Sequence, residues 1–516
     1  MALRRGSFWL KAVLLVAVVA IGDVLFFDKD GLGLNFGVLL AAATLSLALA
    51  SPAIRRSHLA LLALAAALAL ALLPFERPSF IGFLLWALAM AVAALAPRAP
   101  RGDDGWRWFQ RLLIGGLKAI VGPLVDIRRA LKARARSRPL KITAVLLAAA
   151  LPAVGGLVFL QLFVVANPVM AGFFRGFSLP AFEPGRLVFW IVLGLPIWAV
   201  LRPRGLRRTL RTPGLDRDLT LPGATAASIT AALAVFNVVF AIQNGLDIAF
   251  LWSGAGLPDG VSFADYAHQG AYPLIATALL AGLFVLAFLR PGSQTASRPL
   301  VRALVIAWVA QNVFLVASTA LRTLDYIDAY SLTRMRIAAL LWMGLVATGL
   351  LLILWRLLRA RSAGWLINAN LTAVGLILAV CSVVDLGSIA ANWNIRHARE
   401  LGGDGVNLDV WYMYQLDGAA VVPLARLERR AMPPTLLCQV SDTREDLVKA
   451  LRKRQAQPLG WRWRDARRLQ QVDAILGPNP PRHDLTPCGC NACPPPPKPQ
   501  PVPPSPPLTP AANPRT

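Results

Sequence analysis

The chain has 516 residues, of which 56% are hydrophobic and 16% charged, with a mean hydropathy of +0.56. Water-soluble domains carry about 25% charged residues, and here the apolar residues form long blocks between Phe8 and Gly387 rather than several soluble cores. Lys and Arg outnumber Asp and Glu by 53 to 27; the cations sit mainly between the apolar blocks, which points to a membrane surface and away from nucleic acid.

A membrane-spanning helix needs about 20 mostly apolar residues. In chain order the blocks that qualify are Phe8–Phe27, Leu32–Ala50, Leu59–Phe75, Phe80–Ala96, Ile142–Ala166, Leu187–Leu201, Ala226–Trp252, Pro273–Leu289, Ala303–Leu321, Ile337–Leu358 and Trp365–Gly387. The first follows Arg4 and Arg5 as a signal peptide would, but its apolar run continues to Phe27, so it reads as a span. Leu187–Leu201 is short and contains Pro196, and its loss would invert everything after it. With the N-terminus inside, the inside loops carry 29 Lys and Arg and the short outside loops 7. This asymmetry favours a cytoplasmic N-terminus and places the chain after Gly387 outside. The expected fold is all-α: a polytopic bundle of about eleven spans.

Five regions follow: a four-span part (1–96), a basic inside segment (97–141), a seven-span part (142–387), an outside helical subdomain (388–476) and a disordered proline-rich tail (477–516). In the basic segment Trp106 and its aromatic neighbours alternate with Arg107 and Arg111, and Arg128, Arg129, Arg134 and Arg136 follow. This pattern predicts a helix in the membrane interface, with lipids and anionic headgroups as its partners; an ordinary positive-inside loop is the alternative. In the tail, Asp417 and Asp442 stand where each would cap a helix.

Ionisable residues inside spans are costly and mark candidate sites. Asp23, Asp247 and Asp385 all lie near outer ends of spans, Asp23 reading as a side chain that reaches the interface. Gln243 and Asn244 share a helix face with Asp247. The following loop offers Asp265 and His268, and the span holding Gln311 and Asn312 leads to Arg322 and Asp325. These groups at one membrane face suit a proton, a cation or a polar headgroup; interhelical hydrogen bonding is the structural alternative. His483, Cys488, Cys490 and Cys493 are too weak a pattern to assign a metal, and a disulfide is at least as good a reading. No cofactor is expected: the sequence holds no metalloprotease helix, Walker loop, dinucleotide fingerprint or serine nucleophile elbow.

The run AIQNGLDIAFLWSGAGLPDGVSFADYAHQGAYPLIATALLAGLFVLAFL, with VAQNVFLVASTALRTLDYIDAYSLTRMRIAALLWM, GWLINAN, VDLGSIAANWNIRHARELGG and LDVWYMYQLDGAAVVPLARL, resembles a bacterial membrane family catalogued as domain of unknown function 4173. The resemblance spans Ile142 to Arg430 and implies an integral protein of a bacterial inner membrane, without an activity. Three functions fit: a transporter-like protein, a non-catalytic envelope scaffold or sensor, and an enzyme acting on a lipid or lipid-linked substrate. The echo of AIQNGLD in VAQNVFL hints at a parallel repeat, as in some transporters, whereas the acids lie toward the outer ends of spans rather than at the midplane where a transporter site is expected.

Overall fold

A computed structural model describes residues 2–27, 31–100, 102–135, 156, 184–204, 209–210, 225–253, 276–277, 279–286, 288–289 and 294–477. Among the described residues the regular structure is helical and contains no strand. The chain forms two compact units, Met1–Leu386 with Arg452–Arg467, and Gly387–Leu451 with Arg468–Thr516.

The first unit opens with α1 (Ala2–Phe26), α2 (Leu34–Ala50), α3 (His58–Leu70) and α4 (Phe80–Leu95). Their Leu- and Ala-rich runs satisfy every backbone group internally, as a bilayer requires. Ser57 and Ser79 cap α3 and α4 by accepting from the Ala60 and Gly82 amides. Ala60, Ala63 and Ala67 recur on one face of α3, buried in one cluster with Ala93 and Ala94 of α4. Small side chains there let two backbones approach closely, the usual way helices associate in lipid.

Next come α5 (Gly105–Ala135) and α6 (Pro184–Leu201), then α7 (Ala226–Asp247), α8 (Pro299–Tyr330), α9 (Arg334–Leu358) and α10 (Ala363–Val383). Seven helices among the described residues are long and apolar enough to cross a membrane, and Leu34–Ala50 and Gly185–Leu201 are shorter apolar helices. Each of the nine expected spans that lies within the described residues is thus a helix; Ile142–Ala166 lies outside them, and Pro273–Leu289 is described only in part, helical over 279–286. Lipid as solvent explains the inverted surface. Val235, Val238, Val239 and Ile242 of α7 are exposed, whereas Asn244 and Asp247 are buried. One expectation needs correction: α8 does not end near Leu321. It runs for 32 residues in all, to Tyr330, so Arg322, Asp325 and Tyr330 are helical rather than in a loop. At 1.5 Å per residue it is about 48 Å long and outreaches the hydrocarbon core.

The placement of α5 follows from its two ends. The Gly105 amide donates to Asn368 Oδ1 (2.7 Å) near the start of α10. Asp126, about 32 Å further along the helix, accepts from Trp198 Nε1 (3.1 Å) and pairs with Arg204 (2.7 Å) at the end of α6. The second of these ends also meets the start of α1, where Phe8 packs on Trp198.

The opposite end of the first unit is closed by Arg452–Arg467. The Trp461 carbonyl accepts from the Leu34 amide (3.1 Å), and Arg464 donates to Glu76 (3.0 Å) and to the Val383 carbonyl (2.8 Å). Only glycine fits at 33, where a Cβ would stand 2.5 Å from the Trp461 carbonyl oxygen. Asn35, fully buried, braces the same loop: its Oδ1 accepts from the Gly33 amide (2.9 Å) and its Nδ2 donates to the Gly31 carbonyl (3.0 Å).

The second unit contains most of α11 (Leu386–His397), then α12 (Val410–Gln415), α13 (Gly418–Leu427), the larger part of α14 (Pro434–Gln455) and the end of α15 (Trp463–Leu476). Met413, Val421, Leu424 and Leu427 are buried here, as are Val440, Leu447 and Leu451. Glu428 accepts from Arg444 (2.7 Å), and both are nearly inaccessible. Cys381, in the first unit, is a free cysteine, and Cys438 is disulfide-bonded. The two expected caps change. Asp417 holds the N-cap position of α13 without a side-chain cap bond, and Asp442 lies within α14, which begins eight residues earlier at Pro434. Burial, with Asp446 and Glu445 nearby, pushes the Asp442 carboxyl above the usual carboxylate range.

Asn35→Ala leaves the Gly33 amide and the Gly31 carbonyl without these partners, and should cost about 1–3 kcal/mol. Thermal unfolding of the detergent-solubilised chain should show a lower midpoint; an unchanged midpoint would mean the loop is held by Trp461 alone.

Candidate functional site

Two long apolar helices carry the polar groups. On α7, Asn237, Asn244 and Asp247 fall at i, i+7 and i+10, one face of the helix. On α8, Gln311, Asn312, Ser318 and Arg322 recur with similar spacing. The helices pack with these faces together, because Asn237, Asn244, Asp247 and Ser318 find partners across the seam and would find none in lipid.

At mid-length, Asn237 Nδ2 donates to the Leu304 carbonyl (3.0 Å) and Asn237 Oδ1 accepts from Gln311 Nε2 (2.8 Å). Two turns on, Asn244 Nδ2 donates to the Gln311 carbonyl (3.2 Å). At the far end Asp247 and Arg322, 2% and 6% exposed, form an ion pair. Asp247 Oδ1 also accepts from Gln243 Nε2 (2.9 Å). From Asn237 to Asp247 the seam runs about 15 Å along the helix.

The seam is rich in acceptors without donors. Among the described residues, Asp247 Oδ2, Asn244 Oδ1, Gln311 Oε1 and Asn312 Oδ1 are buried with no hydrogen-bond partner. Buried oxygens of this kind call for a water, a proton or a cation. Beyond Asp247 the helix widens into a π turn, Ile248–Trp252, and Trp252 Nε1 reaches Ser318 Oγ (3.1 Å). Such turns frequently accompany functional sites.

The structure unites some expected residues and separates others. Gln243, Asn244, Asp247 and Arg322 share the seam, and Asp325 lies one turn beyond Arg322, half-buried. Asp385 is held elsewhere. It stands between Arg77 (3.7 Å) and Arg464 (3.9 Å), among the ion pairs that close the end of the bundle. Asp265 and His268 lie outside the described residues. Asp23 is not a lone snorkelling carboxylate: Arg186 Nε (2.8 Å) and Trp190 Nε1 (2.8 Å) donate to it, joining α1 to α6. Asn237 was missed, although its place seven residues before Asn244 was a readable signal.

On α5, Arg107 and Arg111 pair with Asp103 (3.2 and 2.8 Å), and Arg111 is buried. Trp106 is half-buried, and Arg128 and Arg129 are exposed. Arg134 belongs to the helix, though its side chain, like Arg136, falls outside the described residues. Among the described residues no group of three or more His, Cys, Asp or Glu is placed to hold a metal ion; His483, Cys488, Cys490 and Cys493 are not among them.

Residues 60–427 match the family described as Domain of unknown function (DUF4153). This corrects the family number expected from the sequence strings; the character is the same, a domain without assigned activity. No curated protein and no solved structure matches.

Removing one partner of a buried pair strands the other charge, which costs about 3–5 kcal/mol. Asp247→Asn and Arg322→Gln should each lower stability by about that much, whereas the double variant should recover most of the loss. Thermal unfolding of the four proteins measures the coupling; additive losses would show that the pair does not act as one.

Proposed function

We propose that this chain, which belongs to the DUF4153 family, is a transporter-like membrane protein whose α7–α8 seam passes a proton or a small monovalent cation. The observation that carries the reading is the Asp247–Arg322 pair inside membrane helices, continued to mid-length by Asn244, Gln311 and Asn237. Intramembrane charge is retained where it moves or binds charge. Arg322 donates to Asp247 Oδ1, and a cation or proton arriving at the open Oδ2 competes with it for that carboxylate. The amide oxygens then offer a stepwise path toward mid-membrane. Among the described residues the seam holds no nucleophile–base pair, so an enzyme is the weaker reading. An envelope scaffold is the second reading, favoured by the separate helical core of the second unit.

The setting we infer is a bacterial inner membrane with the N-terminus cytoplasmic and the second unit outside. The excess of 29 to 7 in loop cations supports this. So does the disulfide at Cys438, since disulfides persist in oxidising compartments.

Purified chain in proteoliposomes should dissipate an imposed proton or potassium gradient. Asp247→Asn should abolish the flux, and Asn237→Leu should slow it by about tenfold or more, as losing a polar step of ~1.4 kcal/mol or more requires. Wild-type vesicles as tight as protein-free ones to both ions would end the proposal.

Orientation has its own check. Arg56→Cys and Arg430→Cys replace exposed residues. An impermeant maleimide applied to intact spheroplasts, with native-thiol labelling subtracted, should modify position 430 and spare position 56. The reverse pattern would invert the topology.

A further inference from the structure

We propose that the first unit holds one anionic phospholipid, its acyl chain in a slot between α2, α4 and α6 and its phosphate on Lys118, Arg202 and Arg204. The slot encloses about 650 Å³, well inside the 300–1,000 Å³ range of ligand cavities. It extends from Phe36, Phe83 and Phe189 at one end to Arg202 and Arg204 at the other. Along α6 that is 13 residues, about 20 Å, a length suited to an extended chain reaching past one leaflet.

The walls are apolar in effect as well as in composition. Ser46 donates to the Ala43 carbonyl (2.7 Å), Trp86 Nε1 to Thr44 Oγ1 (3.0 Å) and Trp198 Nε1 to Asp126 (3.1 Å). With these donors already engaged, water gains little from entering, and hydrocarbon is the fitting occupant. Small residues create the space. Ala87 and Ala91 of α4 line the slot, and a Cβ added to Gly116 of α5 would meet nothing within 4 Å.

The mouth supplies the selectivity. It is closed by α5, which contributes Lys118, and by the end of α6. Asp126 is shared by Arg204 (2.7 Å) and Arg202 (3.5 Å), whose side chains stay 26% and 33% exposed. One carboxylate against three cations leaves positive charge at the end of an apolar slot, which matches a chain ending in phosphate. This site is distinct from the expected surface contacts of Arg107 and Arg111, which Asp103 already engages.

The test uses the full-length chain in mild detergent with equal amounts of dioleoyl phosphatidylglycerol and dioleoyl phosphatidylcholine, retained lipid being counted by native mass spectrometry. We expect one retained phosphatidylglycerol per chain. Arg202→Gln and Lys118→Gln should each reduce retention about fivefold, as for removal of one cation near a lipid phosphate. Gly116→Phe should fill the slot and expel the lipid without lowering the unfolding midpoint. Lys118 is exposed, so its variant keeps the fold and decides the matter if the others do not express. Equal retention of the two lipids, no retention, or a lipid that survives Gly116→Phe would each overturn the proposal.

Discussion

A carboxylate and a guanidinium can stay charged inside membrane helices only by facing each other, and the Asp247–Arg322 pair sets that constraint for half of the first unit. Each charge alone in a low-dielectric medium costs several kcal/mol. Once the two are placed, α7 and α8 can pack in few other ways. Turning either helix by one residue, about 100°, would point Asp247 or Arg322 at lipid. The polar face then selects everything along it: Asn237 opposite Gln311, Asn244 against the Gln311 backbone, Trp252 on Ser318. Apolar packing alone would not choose this register, since lipid tails compete equally for a Leu-rich face.

The same rule repeats at smaller scale around the unit. Asp23 joins α1 to α6 through Arg186, Asp126 joins α5 to α6, and Glu76 joins the short helix after α3, Leu73–Glu76, to Arg464 of the returning segment. The arginines of these pairs are more exposed than Arg322, and water there reduces both the cost and the strength of the pairing. They therefore fix the ends of the bundle, while the buried pair fixes its interior. The glycine at 33 and the amide of Asn35 perform the uncharged version of that task, letting one backbone lie directly against another.

Much of this was legible in the sequence because bilayer thickness converts directly into run length. The blocks from Phe8 to Phe27 and from Ala226 to Trp252 announce helices without any knowledge of neighbours, and the alternation around Trp106 and Arg107 announces α5. Place along each span also grouped Asp247 and Asp385, both near span ends. Lateral position was not legible. Two acids at one depth can sit on opposite sides of a bundle, and Asp385 belongs with Arg77 and Arg464 instead. Attention to acids also passed over Asn237, whose importance comes only from its partner 74 residues away. Asp126 was hidden for a related reason: among Arg128 and Arg129 its single negative charge looks incidental, yet it is the group on which Arg202 and Arg204 converge.

The position of the pair within the seam bears on what the seam can do. Arg322 neutralises Asp247 through one carboxylate oxygen, leaving Oδ2 without a partner. A purely structural bridge would do better with both oxygens engaged, as Asp23 is by Arg186. Half-engagement costs stability unless something else visits the open oxygen. Under the proposed reading that visitor is small and donates or carries positive charge; Asn244 Oδ1, one turn from Asp247, is likewise an acceptor without a donor. On the proposed reading, acceptors recurring along the seam would favour positive charge before size, which is the minimal property a cation or proton path needs.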